Sequence, residues 1–138
     1  METKPQGKPR ILLMMGSQSD LGHLEPGLAV LEELEIPFEV RVASAHRTPE
    51  RVTELATQAA QRGIEVIVAA AGASAHLAGV LAAQTALPVV GIPVASTSLG
   101  GFDALLSMAQ MPRGVPVGVM AVGGAANGAL FAARILAL

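Results

Sequence analysis

The chain has 138 residues, 51% of them hydrophobic, 14% charged and 2% aromatic, with no Cys, Trp or Tyr and a formal net charge of -2. That length suits one domain with its own core, and a charged fraction far under the ~25% of ordinary soluble domains excludes a disordered chain. A near-neutral balance without a basic run excludes a nucleic-acid or anionic-membrane footprint, and zero Cys excludes disulfides, thiolate chemistry and Cys-ligated zinc.

Residues 1–10 read as a flexible polar tail with no apolar h-region, so no secretory signal is expected and a reducing cytoplasm is the natural setting. Residues 11–138 read as a single α/β domain. Five short β-rich runs recur: Ile11–Met15, Phe38–Ala43, Glu65–Ala71, Pro88–Val94 and Pro116–Val122. They are almost continuously apolar, as strands covered on both faces are, and helical patterns separate them. The expected class is α/β, with right-handed βαβ units building a parallel sheet covered by helices on both faces.

The first helical pattern carries Leu21, Leu24, Leu28 and Leu31 at spacings of three and four, with Pro26 and Gly27 inside it. Either that helix kinks there or its regular part starts near Glu25. Thr48, Pro49 and Glu50 open the second helix as an N-cap hydroxyl, a first-position Pro and a first-turn acid, and Gly63 closes it. The third covers about Ala75–Ala86, the fourth Phe102–Gln110 and the last Ala125–Leu138. No Asp, Glu, Lys or Arg occurs from Val66 to Phe102, a length that could span a bilayer. Pro88, Pro93, His76 and the hydroxyls of Ser96, Thr97 and Ser98 break it into strand, helix and strand, so no membrane span is expected. The composition holds 25 Ala and 15 Gly. Such a surplus of small apolar residues predicts Ala-rich helices packing against further copies of the chain.

Ligands of doubly wound sheets bind outside the carboxyl ends of the strands, and the polar residues concentrate there. Gly16–Asp20 follows the first run, Ser44–Pro49 the second, Gly72–His76 the third and Ala95–Ser98 the fourth. Ser17 and Asp20 match a capping box equally well as a phosphate site in which Asp20 accepts from sugar hydroxyls. Arg47 stands just before a helix start, where its fork and local N–H groups could share one anion, and His46 beside it titrates near neutrality. His76 could be a cap, a packed imidazole or a functional group, and His23 reads as surface. There is no GxGxxG, no P-loop, no Gly-x-Ser-x-Gly elbow and no helical HxxxH. A metal site is poorly supported, although folding could still bring two of the separated His together, and the chemistry left is proton transfer by His on a small phosphorylated molecule.

Met15-Gly16-Ser17-Gln18-Ser19-Asp20, Ser44-Ala45-His46-Arg47-Thr48-Pro49, Ala75-His76-Leu77 with Gly79, Pro88 to Val94 and Gln110 to Gly118 together resemble the N5-carboxyaminoimidazole ribonucleotide mutases of purine biosynthesis. The resemblance covers essentially everything after the tail, in order. It implies a three-layer α/β/α sandwich around a parallel, flavodoxin-like sheet of about five strands, assembled as a homo-octamer with no metal or organic cofactor, that moves a carboxylate from the exocyclic nitrogen of an aminoimidazole ribonucleotide to ring carbon C4. It further implies a functional link to an ATP-dependent synthase of the N5-carboxylated substrate. By the same resemblance, Ser17, Ser19, Asp20, Ser44, Ala45 and Arg47 bind phosphate and ribose and His46 is the catalytic acid/base. In the turn that follows the third strand, Gly72, Ala73, Ala75, His76 and Leu77 surround the imidazole and the migrating carboxyl. A sister branch carboxylates the unmodified ribonucleotide directly, and tends to carry Lys at the position of Arg47 and to lack the His76-Leu77 turn. A noncatalytic flavodoxin-like module for a phosphorylated ligand is the reading from another class, disfavoured by the lack of Tyr and Trp to stack a flat ring. Three departures from the family pattern stand out: Ala78 where Pro is usual, Ala73-Ser74 in place of a Gly-Ala type pair, and a shorter Gly123–Asn127 turn. Many members also continue into a further C-terminal helix beyond the point matched by Leu138.

Overall fold

The computed structural model describes residues 7–138, so residues 1–6 of the expected tail lie outside the described residues. The elements run β1 (Ile11–Met15), α1 (Leu21–Glu33), β2 (Phe38–Val42), α2 (Pro49–Gln58), β3 (Val66–Gly72), α3 (Leu77–Ala82), β4 (Val89–Val94), α4 (Phe102–Ala109), β5 (Gly118–Val119) and α5 (Ala125–Leu136), with a 3-10 turn at Gln18–Asp20 leading into α1. The five strands are parallel in the order β2-β1-β3-β4-β5, the flavodoxin-like arrangement.

Alternation along β1 divides the core. Ile11, Leu13 and Met15 face α1 and α5 with Leu24, Leu31, Ala125, Ala129 and Ala132. Leu12 and Met14 face α2, α3 and α4 with Val52, Leu55, Leu81, Ala104 and Met108. Burial on both faces explains why β1, β3 and β4 are apolar throughout. The edge strand β2 departs from that pattern: it reads Phe-Glu-Val-Arg-Val, and Glu39 is its buried acid at 3% exposure. Arg41 reaches it at 3.2 Å and Arg62, from the turn after α2, forms a second ion pair with it. Two cations therefore compensate the desolvated carboxylate, and truncating either would leave part of its burial cost unopposed. Arg10 joins the sheet end as well, pairing with Glu65 and donating its backbone N–H to Pro37.

Several elements differ from the sequence reading, each for a local reason. The helix α1 already begins at Leu21, ahead of Glu25, and carries Pro26 inside it on the exposed side, with Gly27 buried at the crossing with α5. Thr48 precedes α2 without capping it by its side chain; its hydroxyl is engaged in the preceding loop. That helix ends at Gln58, with turns carrying the chain to Gly63. The third helix keeps only Leu77–Ala82 of the expected range, followed by turns. The last strand shrinks to Gly118–Val119, pairing only with Val90 and Gly91. The Ala faces turn inward: α5 buries Ala125, Gly128, Ala129 and Ala132 and exposes Leu130 and Phe131. Small residues of α5 thus serve close packing inside the chain.

Two glycines of α1 make opposite predictions. A Cβ at Gly27 would lie 2.7 Å from the backbone oxygen of Ala125, whereas one at Gly22 meets nothing within 4 Å. Ala is favoured over Gly in a helix by up to ~1 kcal/mol, and overpacking a rigid backbone contact costs about 1–3 kcal/mol. Gly27→Ala should therefore lower stability and Gly22→Ala raise it by about 0.5 kcal/mol, measured by urea unfolding. A stabilised Gly27→Ala protein would contradict the close α1–α5 crossing.

Candidate active site

The chain diverges at the carboxyl ends of the central strands, since α1 leaves β1 for one face of the sheet and α3 leaves β3 for the other. A cleft of about 380 Å³ opens there. Ser17, Ser19 and Asp20 reach it from β1, and Ser44, Ala45, His46 and Arg47 from β2. Gly72, Ser74, His76 and Leu77 come from β3, and Ser96 from β4. Ten of the twelve site residues named from the sequence share this one cleft. Ala73 and Ala75 do not line it: Ala75 is buried in the core, and Ala73 shapes the turn instead.

The 44–48 loop is closed on itself by hydroxyls. Ser44 Oγ accepts from the backbone N–H groups of His46 at 3.3 Å and Arg47 at 3.1 Å. Thr48 Oγ1 accepts from Ser44 N at 2.9 Å and donates to Ser44 O at 3.3 Å. The backbone N–H groups of Ser44, His46, Arg47 and Thr48 are therefore engaged within the loop. A hydroxyl has two acceptor lone pairs and one proton, so Ser44 keeps its O–H to offer to the cleft. Arg47 is anchored by one N–H to Gly16 O at 3.2 Å, leaving the rest of its fork for an anion.

On the β1 side, Ser17 Oγ and Ser19 Oγ lie 2.9 Å apart, and Ser17 Oγ also accepts weakly from Ser19 N at 3.4 Å. Ser17 thus caps the 3-10 turn, and its backbone N–H donates back to the Asp20 carboxyl, the reciprocal half of the expected capping box. The Asp20 carboxyl is pushed above the usual carboxylate range, mainly by desolvation, against the opposing effects of the His23 charge, the Ser17 backbone hydrogen bond and the Arg47 charge.

His46 and His76 meet across the cleft. His46 Nε2 lies 2.8 Å from His76 Nδ1, with the rings at 82° and their centroids 4.9 Å apart. One ring must donate and the other accept, so the pair can hold no charge or one, and a second proton would break the bond. Sequence spacing could not show this contact between residues 30 apart. Ala73, in the turn that leads to His76, has φ 53. That left-handed backbone suits Gly better than Ala and costs about 1 kcal/mol here, consistent with the Gly-Ala type pair of the family pattern. Ser74 and Ser96 are cleft residues that the sequence reading did not single out; their position just after β3 and β4 was the available signal. Among the described residues no group of three or more His, Asp or Glu is placed to hold a metal ion.

A parallel sheet of this order, with its polar cleft at the β1/β3 switch point, defines a protein of the doubly wound, flavodoxin-like class. Within that class the chain belongs to the AIR carboxylase family, whose sequence profile matches residues 10–138. It is 52% identical over 132 residues to the N5-carboxyaminoimidazole ribonucleotide mutase of Pyrococcus abyssi, covering 96% of this chain and 76% of that protein. Identity to the mutase of Mycobacterium tuberculosis is 53%, over 94% of this chain and 74% of the relative. A phosphoribosylaminoimidazole carboxylase of Schizosaccharomyces pombe is 47% identical, with 96% of this chain matching 24% of that longer protein. Among solved structures, the crystal structure of Treponema denticola PurE superposes with a TM-score of 0.79 at 31% identity, over 94% of this chain and 80% of the other.

The raised Asp20 pKa makes a signed prediction. The folded state holds this proton more firmly than the unfolded state, so stability falls as pH climbs from the ordinary carboxylate range through the raised value. Asp20→Asn removes that dependence. The variant should match the parent in acid and exceed it in stability at neutral pH, by urea midpoints across the range. Parallel curves for the two proteins would exclude desolvation of Asp20.

Proposed function

We infer that this chain is an N5-carboxyaminoimidazole ribonucleotide mutase of purine biosynthesis, giving 4-carboxy-5-aminoimidazole ribonucleotide. The observation that carries the reading is the His46–His76 hydrogen bond in a cleft that also presents the serines, Asp20 and Arg47. Relatives near half identity carry that activity in their names.

The reaction needs a group that gives a proton and takes one back. Protonation of the exocyclic nitrogen breaks the N–C bond of the carbamate and releases CO2. Ring carbon C4 then attacks CO2, and the C4 proton returns to the base. His46 suits both steps, since an imidazole can give a proton and take one back. His76 acts on His46 as a positioning residue, holding its ring through the 2.8 Å contact. Ser44, with its remaining proton, and the Arg47 fork suit a phosphate; Ser17 and Ser19 add hydroxyls; Asp20 accepts from ribose hydroxyls. Gly72, His76 and Leu77 border the base, and Ala45 and Leu77 line the cleft where CO2 would lie beside C4, so that proximity favours recapture.

Large apolar side chains remain on the surface. Leu99 is 61% exposed, Phe102 60% and Phe131 43%, and Leu130 and Phe131 edge a hollow of about 280 Å³ with Met120, Asn127 and Arg134. These support a homo-oligomer, the octamer of the family being the expected size, working in the cytoplasm beside an ATP-dependent synthase of its substrate. Among the described residues no helix is long and apolar enough to cross a membrane.

Supplied separately with each substrate, the protein should consume N5-carboxyaminoimidazole ribonucleotide. Efficient use of aminoimidazole ribonucleotide plus CO2 with no turnover of the N5-carboxylated form would favour direct carboxylation instead. His46→Asn should lower kcat by about 10²–10⁴-fold with binding and fold intact; retained turnover would remove the acid/base role. Light scattering should give a mass above that of one chain, and a stable monomer at micromolar concentration would overturn the oligomer.

A further inference from the structure

The last residue of β3, Gly72, has no left-handed backbone to explain it. What explains it is the side chain opposite: a Cβ at residue 72 would lie 2.1 Å from Ser96 Oγ and 2.9 Å from Ser96 Cβ. The pairing Gly72↔Val94 places the end of β3 beside the end of β4, so the chain leaving β4 passes over Gly72 and lays Ser96 against it. Any larger residue at position 72 would expel this hydroxyl from the place it occupies.

The loop holding Ser96 is fixed from its other side. Thr97 Oγ1 donates to Asp103 at 2.8 Å and accepts from Leu99 N at 3.2 Å, which ties the segment after β4 to the start of α4. Ser96 itself has no hydrogen-bond partner among the described residues, although it lines the cleft with Gly72, His76 and Leu77. Of the other hydroxyl-bearing residues nearby, Ser17, Ser19, Ser44 and Thr97 bond within the protein, while the cleft residue Ser74 shares the unengaged state of Ser96. Ser96 is a positioned donor at the β3–β4 side of the cleft, away from the Arg47 anchor on the β1–β2 side.

We propose that Ser96, seated in the space left by Gly72, is a specificity-determining residue whose hydroxyl donates to the migrating carboxyl group of the substrate. The proposal rests on the mutase reading and deepens it. A hydroxyl donates one proton to a carboxylate oxygen without competing for the His46 proton, so it can hold the group before cleavage and after recapture. It also retains CO2 beside C4 between the two steps.

The test compares two ribonucleotides that differ only in the carboxyl group. Ser96→Ala should bind aminoimidazole ribonucleotide as the parent does and the 4-carboxylated product about tenfold more weakly, as expected for loss of a hydrogen bond to a charged group. In turnover of the N5-carboxylated substrate, the variant should release a larger share as aminoimidazole ribonucleotide and CO2. Gly72→Ala, which displaces the hydroxyl rather than deleting it, should likewise raise the share released as aminoimidazole ribonucleotide and CO2. Equal weakening toward both ribonucleotides, or no weakening toward either, would overturn the assignment while the parent's turnover leaves the mutase reading standing. A parent protein that binds neither ribonucleotide would overturn the mutase reading itself and this assignment with it.

Discussion

The parallel pairing of β1 with β3 is the constraint on which the rest of the molecule depends. Ile11 to Met15 run beside Val66 to Ala70 in register, and both strands are buried on both faces. The chain must leave their ends in opposite directions, because α1 covers one face and α3 the other. The resulting gap cannot be filled by either connection, and four loops converge on it from four different strands. Hydrophobic layering therefore determines where the polar chemistry is possible, before any polar residue is chosen.

Much of this was legible in the amino-acid order. The apolar runs located all five strands, and the position of Ser17, His46, Arg47 and His76 just past strand ends located the cleft. Three kinds of feature were not legible. Edge strands carry mixed patterns, so nothing local distinguished the buried Glu39 from a surface acid until Arg41 and Arg62 were placed beside it. Hydroxyls have several local partners of similar energy, and Thr48 closes onto Ser44 where a helix cap was expected. Contacts between distant segments, such as His46 with His76 or Gly72 with Ser96, depend on register and turn shape rather than on spacing.

The surplus of Ala and Gly also acquires a physical meaning. At Gly27 and Ala125 two helix backbones approach too closely for another methyl group, and Gly128 sits against Ile92 in the same way. Small residues let α5 lie flat on α1 and the sheet, which compresses that layer and commits the larger side chains, Leu130 and Phe131, to the outside. A monomer is consequently left with an internally efficient core and an apolar exterior, two consequences of one packing choice.

The self-closed 44–48 loop bears on how a ligand arrives. The backbone donors of Ser44, His46, Arg47 and Thr48 are engaged inside the loop before anything binds, so ordering this segment costs a ligand little entropy on contact. The loop is pre-organised by its own hydroxyls, and its shape does not wait for a partner.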